Sequence, residues 1–208
     1  YDGRSIIEQN GGTTSFGGSV IFGFNSGGSG DYFMNGGYSE GGTGSTTIYG
    51  YDGIGRVVRS DGNTVQGGSV TYGQNAGGTG TNEMSGGILN GGTGSSTIYG
   101  YDGVGRIIQS GGTQSYGGSV IFGLNSGGTG LYDFSGGVFQ GGTKSNVIYG
   151  YDGAGRISQS GGTANVGGTV SFGHQLGGSG EAQLGGGLML GGTETWTVGH
   201  AGFGQFLT

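Results

Sequence analysis

The chain has 208 residues, 63 of them glycine, with no proline, no cysteine, six Lys+Arg against twelve Asp+Glu and a net charge of −6. Glycine is usually about 7% of a protein, and an excess this large would suit collagen, but the strict Gly-X-Y period and the prolines are missing. The sparse, net negative charge offers no basic footprint for nucleic acid or anionic lipid, no apolar run approaches the ~18 residues of a membrane span, and 11% aromatics argue for a packed core over disorder.

Taken in chain order, the sequence is one repeat domain over 1–208. It is built of units 1–50, 51–100, 101–150 and 151–200, with a degenerate cap or tail over 195–208. Each unit opens on Tyr-Asp-Gly, at Tyr1, Tyr51, Tyr101 and Tyr151. A first residue other than Met reads as a processed or excised segment. Aligned on the third unit without a gap, the copies predict stacking in register, because ordinary loops tolerate changes of length.

Within the third unit, Arg106–Gln109, Ser119–Phe122 and Asn146–Tyr149 are short runs rich in β-branched and aromatic residues, and read as strands. Every 11-residue window contains glycine, at ~1 kcal/mol each in a helix interior, so helix is not expected. The Gly-Gly pairs at Gly111, Gly117, Gly127, Gly136 and Gly141 suit tight corners. Their spacings of 6, 10, 9 and 5, then 20, group into three coils per unit of about 17 residues. The expected fold is therefore all-β, a parallel β-solenoid of about twelve coils, at ~4.8 Å each a rod of roughly 55–60 Å. A four-bladed β-propeller and a bundle of polyglycine II helices are the alternatives. The first wants longer alternating strands, and the second a three-residue glycine rhythm that spacings of 10, 5 and 20 do not keep.

The stretches IIQSGGTQSYGGSV (from Ile107), QNGGTTSFGGSV (Gln9–Val20) and SGGTANVGGTV (Ser160–Val170) resemble the glycine-rich strand-loop-strand passenger repeats of AIDA-type autotransporter adhesins. The resemblance covers about a third of each unit and leaves out the IYGYDG segment. It implies a surface-exposed β-solenoid in adhesion, aggregation or matrix, of a kind often O-glycosylated. No Asn-X-Ser/Thr sequon occurs.

The Tyr-Asp-Gly column is the sharpest candidate site. Asp2, Asp52, Asp102 and Asp152 could form a ligand or calcium column, but one carboxylate per unit is too few for the six to eight oxygens calcium takes. The plainer expectation is an ion pair with Arg56, Arg106 and Arg156, four residues on. Tyr51, Tyr101 and Tyr151, each two residues after Tyr49, Tyr99 and Tyr149, would share a strand face with them and could offer sugars an aromatic stripe. Phe22, Tyr72, Phe122 and Phe172 read as core, and Asn25, Asn75, Asn125 and Gln175 as an amide ladder. Thr43, Thr93, Thr143 and Thr193 recur once per unit, thin for an ice-binding array. His174 and His200 occupy unrelated repeat positions and form no expected metal site. No catalytic constellation or cofactor motif stands out, so the chain is not expected to be an enzyme.

The tail carries Phe203, Phe206 and Leu207, which would either fold back as an apolar cap or join the open start of another copy at Tyr1. Head-to-tail contacts of that kind generate fibres. The expectation is an extracellular or cell-surface structural or adhesive protein, a filament or biofilm-matrix subunit. Alternatives are a lectin-like module binding glycans or cell surfaces and an ice-binding protein.

Overall fold

A computed structural model describes residues 3–191 and 194–208. These residues form twenty-five strands and no helix, arranged as a parallel β-solenoid with three faces. The first turn is β1 (Arg4–Gln9), β2 (Thr13–Phe16) and β3 (Ser19–Phe22), and the second is β4 (Ser29–Met34), β5 (Tyr38–Gly41) and β6 (Thr46–Tyr49). β4 pairs on β1, β5 on β2 and β6 on β3, all parallel. The pattern continues until the first face holds nine strands and the other two eight each.

Each 50-residue unit thus makes two turns, where the glycine spacing predicted three. The rod has about eight turns and is, at ~4.8 Å per turn, about 38 Å long. The reason lies in the corners. On the first and second faces partners lie 25 residues apart, as in Arg4↔Ser29 and Thr13↔Tyr38. On the third face the offsets alternate: Ser19↔Thr46 spans 27 residues and Thr46↔Ser69 spans 23. Odd turns reach the third face across Gly17-Gly18 alone, and even turns across the longer Gly42–Ser45 link. They leave it by Gly23–Gly28 and by the shorter Gly50–Gly53 respectively. Two corner plans alternate, so the sequence repeats only every second turn.

The fourth unit is one residue short. Gly199 and His200 take the places of Gly150 and Tyr151, and the third-face offset becomes 26 at Val170↔Trp196. Parallel pairing survives because the missing residue lies in the corner before the strand.

The corners are where glycine is required. Gly50 has φ +74, and a Cβ on it would meet the Thr79 carbonyl oxygen at 2.1 Å. Its nitrogen donates to the Phe22 carbonyl at 2.7 Å, so the corner itself is hydrogen-bonded to the turn below.

Inside, strand alternation points every second side chain into a narrow core. The largest contribution comes from the end of the third face. Phe22, Tyr49, Tyr72, Tyr99, Phe122, Tyr149 and Phe172 stack ring on ring, with centroids 4.6–5.1 Å apart and planes within 12°. The column Phe22, Tyr72, Phe122, Phe172 is core as expected, but only half of the stack. The tyrosines at 49, 99 and 149 fill the alternate rungs. On the second face, large Phe16, Tyr116 and Val166 alternate with Gly41, Gly91 and Gly141 in neighbouring turns. The missing side chains make room for the bulky ones.

Candidate functional site

The repeated outward feature is the corner after the third face. Gly50, Gly100 and Gly150 have positive φ, and this reverses the two-residue alternation expected for the tyrosine pairs. Tyr49, Tyr99 and Tyr149 point inward and are at most 4% exposed. Burial pushes their hydroxyls well above the usual tyrosine range and keeps them neutral. Tyr51, Tyr101 and Tyr151 stand half-buried on the outer corner.

Residues of the intervening turns complete this corner. Backbone bonds such as Gln74 N to Gly50 O and Tyr101 N to Gly73 O set Phe24, Tyr51, Gln74, Tyr101, Leu124, Tyr151, His174 and His200 on successive turns. Rings that meet here stack: Phe24 on Tyr51 at 5.2 Å, Tyr151 on His174 at 5.0 Å, and His174 on His200 at 4.9 Å. The two histidines are therefore neighbours in one column. Sequence position hid this because they occupy alternate corner plans and the last unit is one residue short. The His174 imidazole is held below the usual histidine range, by partial burial and then by His200.

Beside the rings runs a column of carboxylates and amides. Asp52 and Asp102 share it with Asn75 and Asn125, which were expected to form a separate amide ladder. Asn75 Nδ2 donates to Asp52 Oδ1 at 2.9 Å, and Asn125 Nδ2 to Asp102 Oδ1 at 3.0 Å. Successive aspartates are thus two turns, about 9.6 Å, apart with an amide between them, a poor arrangement for a shared calcium ion. No group of three acidic or histidine side chains among the described residues is placed to hold a metal. In the fourth unit Gln175 Nε2 donates instead to the Tyr151 hydroxyl at 3.3 Å.

The arginines do not pair with these aspartates. Arg4 bonds Asp31 at 2.8 Å, Arg56 bonds Glu83 at 2.6 Å and Arg106 bonds Asp133, each acid lying on the adjacent strand of the first face. The four-residue sequence separation is overridden because the corner turns Asp52 away before the strand that carries Arg56 begins. Thr43, Thr93 and Thr143 are exposed in the even-turn link between second and third faces, and Thr193 lies outside the described residues, as do Tyr1 and Asp2.

The tail does not fold back over the end. Trp196–Val198 continues the third face, and Phe203–Leu207 adds the ninth strand of the first face by pairing with Ser179–Leu184. Phe206 lies opposite buried Ala182 and packs edge-on to Phe172 at 6.1 Å, with Trp196 at 6.4 Å. Phe203 and Leu207 remain exposed.

One residue the sequence reading passed over breaks the repeat in the core. Gln9, Gln109 and Gln159 hold one inward position of the first face, and the second unit places Arg59 there, 2% exposed. Comparing that column across the four units was the available signal. No protein-family model, curated protein or solved structure matches the chain.

Proposed function

We propose that this chain is a rod-like structural or adhesive segment of an extracellular surface or matrix assembly, able to associate end to end. The observation that carries the reading is that both terminal strands of the first face, Arg4–Gln9 and Phe203–Leu207, are in-register parallel edges of one sheet. Ile7 is 40% exposed at one end of the core and Phe206 37% exposed at the other. A second copy would continue the sheet at its natural spacing and set Ile7 over Phe206, a heterologous contact that propagates. The passenger-repeat resemblance points to the same kind of surface protein. The test is light-scattering mass against concentration together with electron microscopy. Rods lengthening with concentration support the reading, and a compact monomer at every concentration, unchanged by Phe206→Asp, overturns the assembly.

A second reading, carbohydrate binding, is favoured by the outer corner, where half-exposed Tyr51, Tyr101 and Tyr151 recur two turns apart beside carboxylate–amide pairs. Aromatic faces flanked by polar groups suit sugar rings. Glycan-array binding lost in Tyr101→Ala would support it, and no binding by the parent chain would remove it.

A further inference from the structure

We infer that the core of the rod, beside Arg59, is a binding site for a small monovalent anion of the chloride class. The proposal stands apart from the assembly reading and rests on an uncompensated charge next to a cavity.

Arg59 is fully enclosed between the apolar side chains of Met34 and Met84 in its column. Its Nε donates to Thr64 Oγ1 at 3.2 Å and its Nη1 to Asn82 Oδ1 at 2.6 Å. A guanidinium has five N–H groups, so three find no protein acceptor among the described residues. Each of the other four arginines has an acidic partner on the surface, whereas Arg59 forms no ion pair. A charge buried without a counterion is among the most costly arrangements a core can hold.

A cavity of about 30 Å³ adjoins it, where ~10–15 Å³ already holds a water, so one small ion fits. Its lining includes Ser39, Ser45, Thr47, Gln66 and Arg59 and no carboxylate. Ser45 departs from its counterparts: Ser95 and Ser145 donate to the Gly92 and Gly142 carbonyls at 2.6 and 2.7 Å, and Ser45 makes no such bond. The hydroxyls of Ser39 and Thr47 are likewise unengaged, and Gln66 Oε1 is buried without a partner, so its carboxamide is free to turn its NH₂ inward. One cation and a ring of free donors, without a fixed negative charge, is the chemistry that recognises an anion. A water would satisfy some of the donors but leave the charge unbalanced.

The cavity arises where two columns depart from their repeats together. Gln66 stands where the other units place Phe16, Tyr116 and Val166, and the smaller, flatter side chain leaves the space that the ion would fill.

The test compares the parent with Arg59→Gln, which restores the residue found at positions 9, 109 and 159. Those glutamines bond corner carbonyls, as Gln9 Nε2 does to Gly12 O and Tyr38 O, so the variant keeps the fold. Both proteins are refolded and melted in chloride from 1 to 100 mM, at constant ionic strength made up with gluconate. The parent midpoint is expected to rise by about 3 °C or more for each tenfold of chloride above its Kd, and the variant to respond no more than gluconate controls do. Crystals grown in bromide should show an anomalous peak beside Arg59 in the parent only. Equal chloride responses in the two proteins, or a cavity holding only water with no bromide signal, would overturn the assignment.

Discussion

Tyr72 and Tyr99, 27 residues apart in sequence, lie face to face in the core with centroids 4.6 Å apart and planes 5° from parallel. They are adjacent rungs of a seven-ring stack that runs along the rod, and the stack ties every turn to the next. Aromatic pairs contribute ~0.5–1.5 kcal/mol beyond the area they bury, so the column is a cooperative element as well as a filler.

Removing a middle ring should therefore be costly, while removing a hydroxyl should depend on its partner. Tyr99→Ala is expected to lose about 3–5 kcal/mol in urea unfolding. Tyr72→Phe should fall within about 0.5 kcal/mol of the parent, because the Tyr72 hydroxyl is buried without a hydrogen-bond partner. Tyr99→Phe should cost about 1–2 kcal/mol, since its hydroxyl meets Asn82 and Tyr116. Equal costs for the two Phe variants would contradict this account of the stack.

Corner glycines should divide by the space around them. Gly44 and Gly50 both have positive φ, yet a Cβ on Gly44 meets nothing within 4 Å and one on Gly50 would lie 2.1 Å from Thr79 O. Gly44→Ala is expected to cost about 1 kcal/mol, the conformational penalty alone. Gly50→Ala should prevent close stacking of the turns, and is expected to unfold the chain or leave it without a cooperative melt by circular dichroism.

The surface ion pairs should matter little. Arg56 and Glu83 meet at 2.6 Å, but their side chains are 37% and 29% exposed. A double-mutant cycle of Arg56→Ala and Glu83→Ala is expected to give a coupling of about 1 kcal/mol or less, shrinking in 1 M salt. A coupling that persists in high salt would mean that the first face is held by its charges.

Acid should loosen the C-terminal turn first. His174 is depressed below its ordinary range, by burial and by His200, so the unfolded chain binds a proton more readily than the folded one. Stability from this group is complete above the unfolded value of ~6.5 and falls as the pH drops through that value towards the lower folded one. Amide exchange of His200, whose N–H donates to Gly173 O at 3.0 Å, should quicken between pH 7.5 and 5.5 in the parent and stay level in His174→Gln, once intrinsic rates are divided out.

Much of the fold is legible in the string of residues. Runs such as Ser119–Phe122 are strands because β-branched and aromatic side chains suit a pleated surface, and the glycine pairs between them are corners because other residues resist positive φ. The candidate corner was legible in part. The Tyr-Asp-Gly column does reach the outside, but half of its members, Gln74, Asn75, Leu124 and Asn125, come from a motif with no visible likeness to it.

The sequence by itself determined a fourfold, helix-free, β-rich repeat with glycine corners and a core of recurring aromatics. Those features follow from local backbone preference and side-chain type, which each residue carries with it. Tertiary structure decided that two turns make a unit, that Tyr49 stacks between Phe22 and Tyr72, that Asp52 bonds Asn75 and Arg56 bonds Glu83, and that Arg59 is enclosed. Each of these joins residues 23–27 positions apart through parallel backbone pairing. That offset is set by the whole turn closing on its neighbour, with one long and one short corner compensating, and no single segment contains the information.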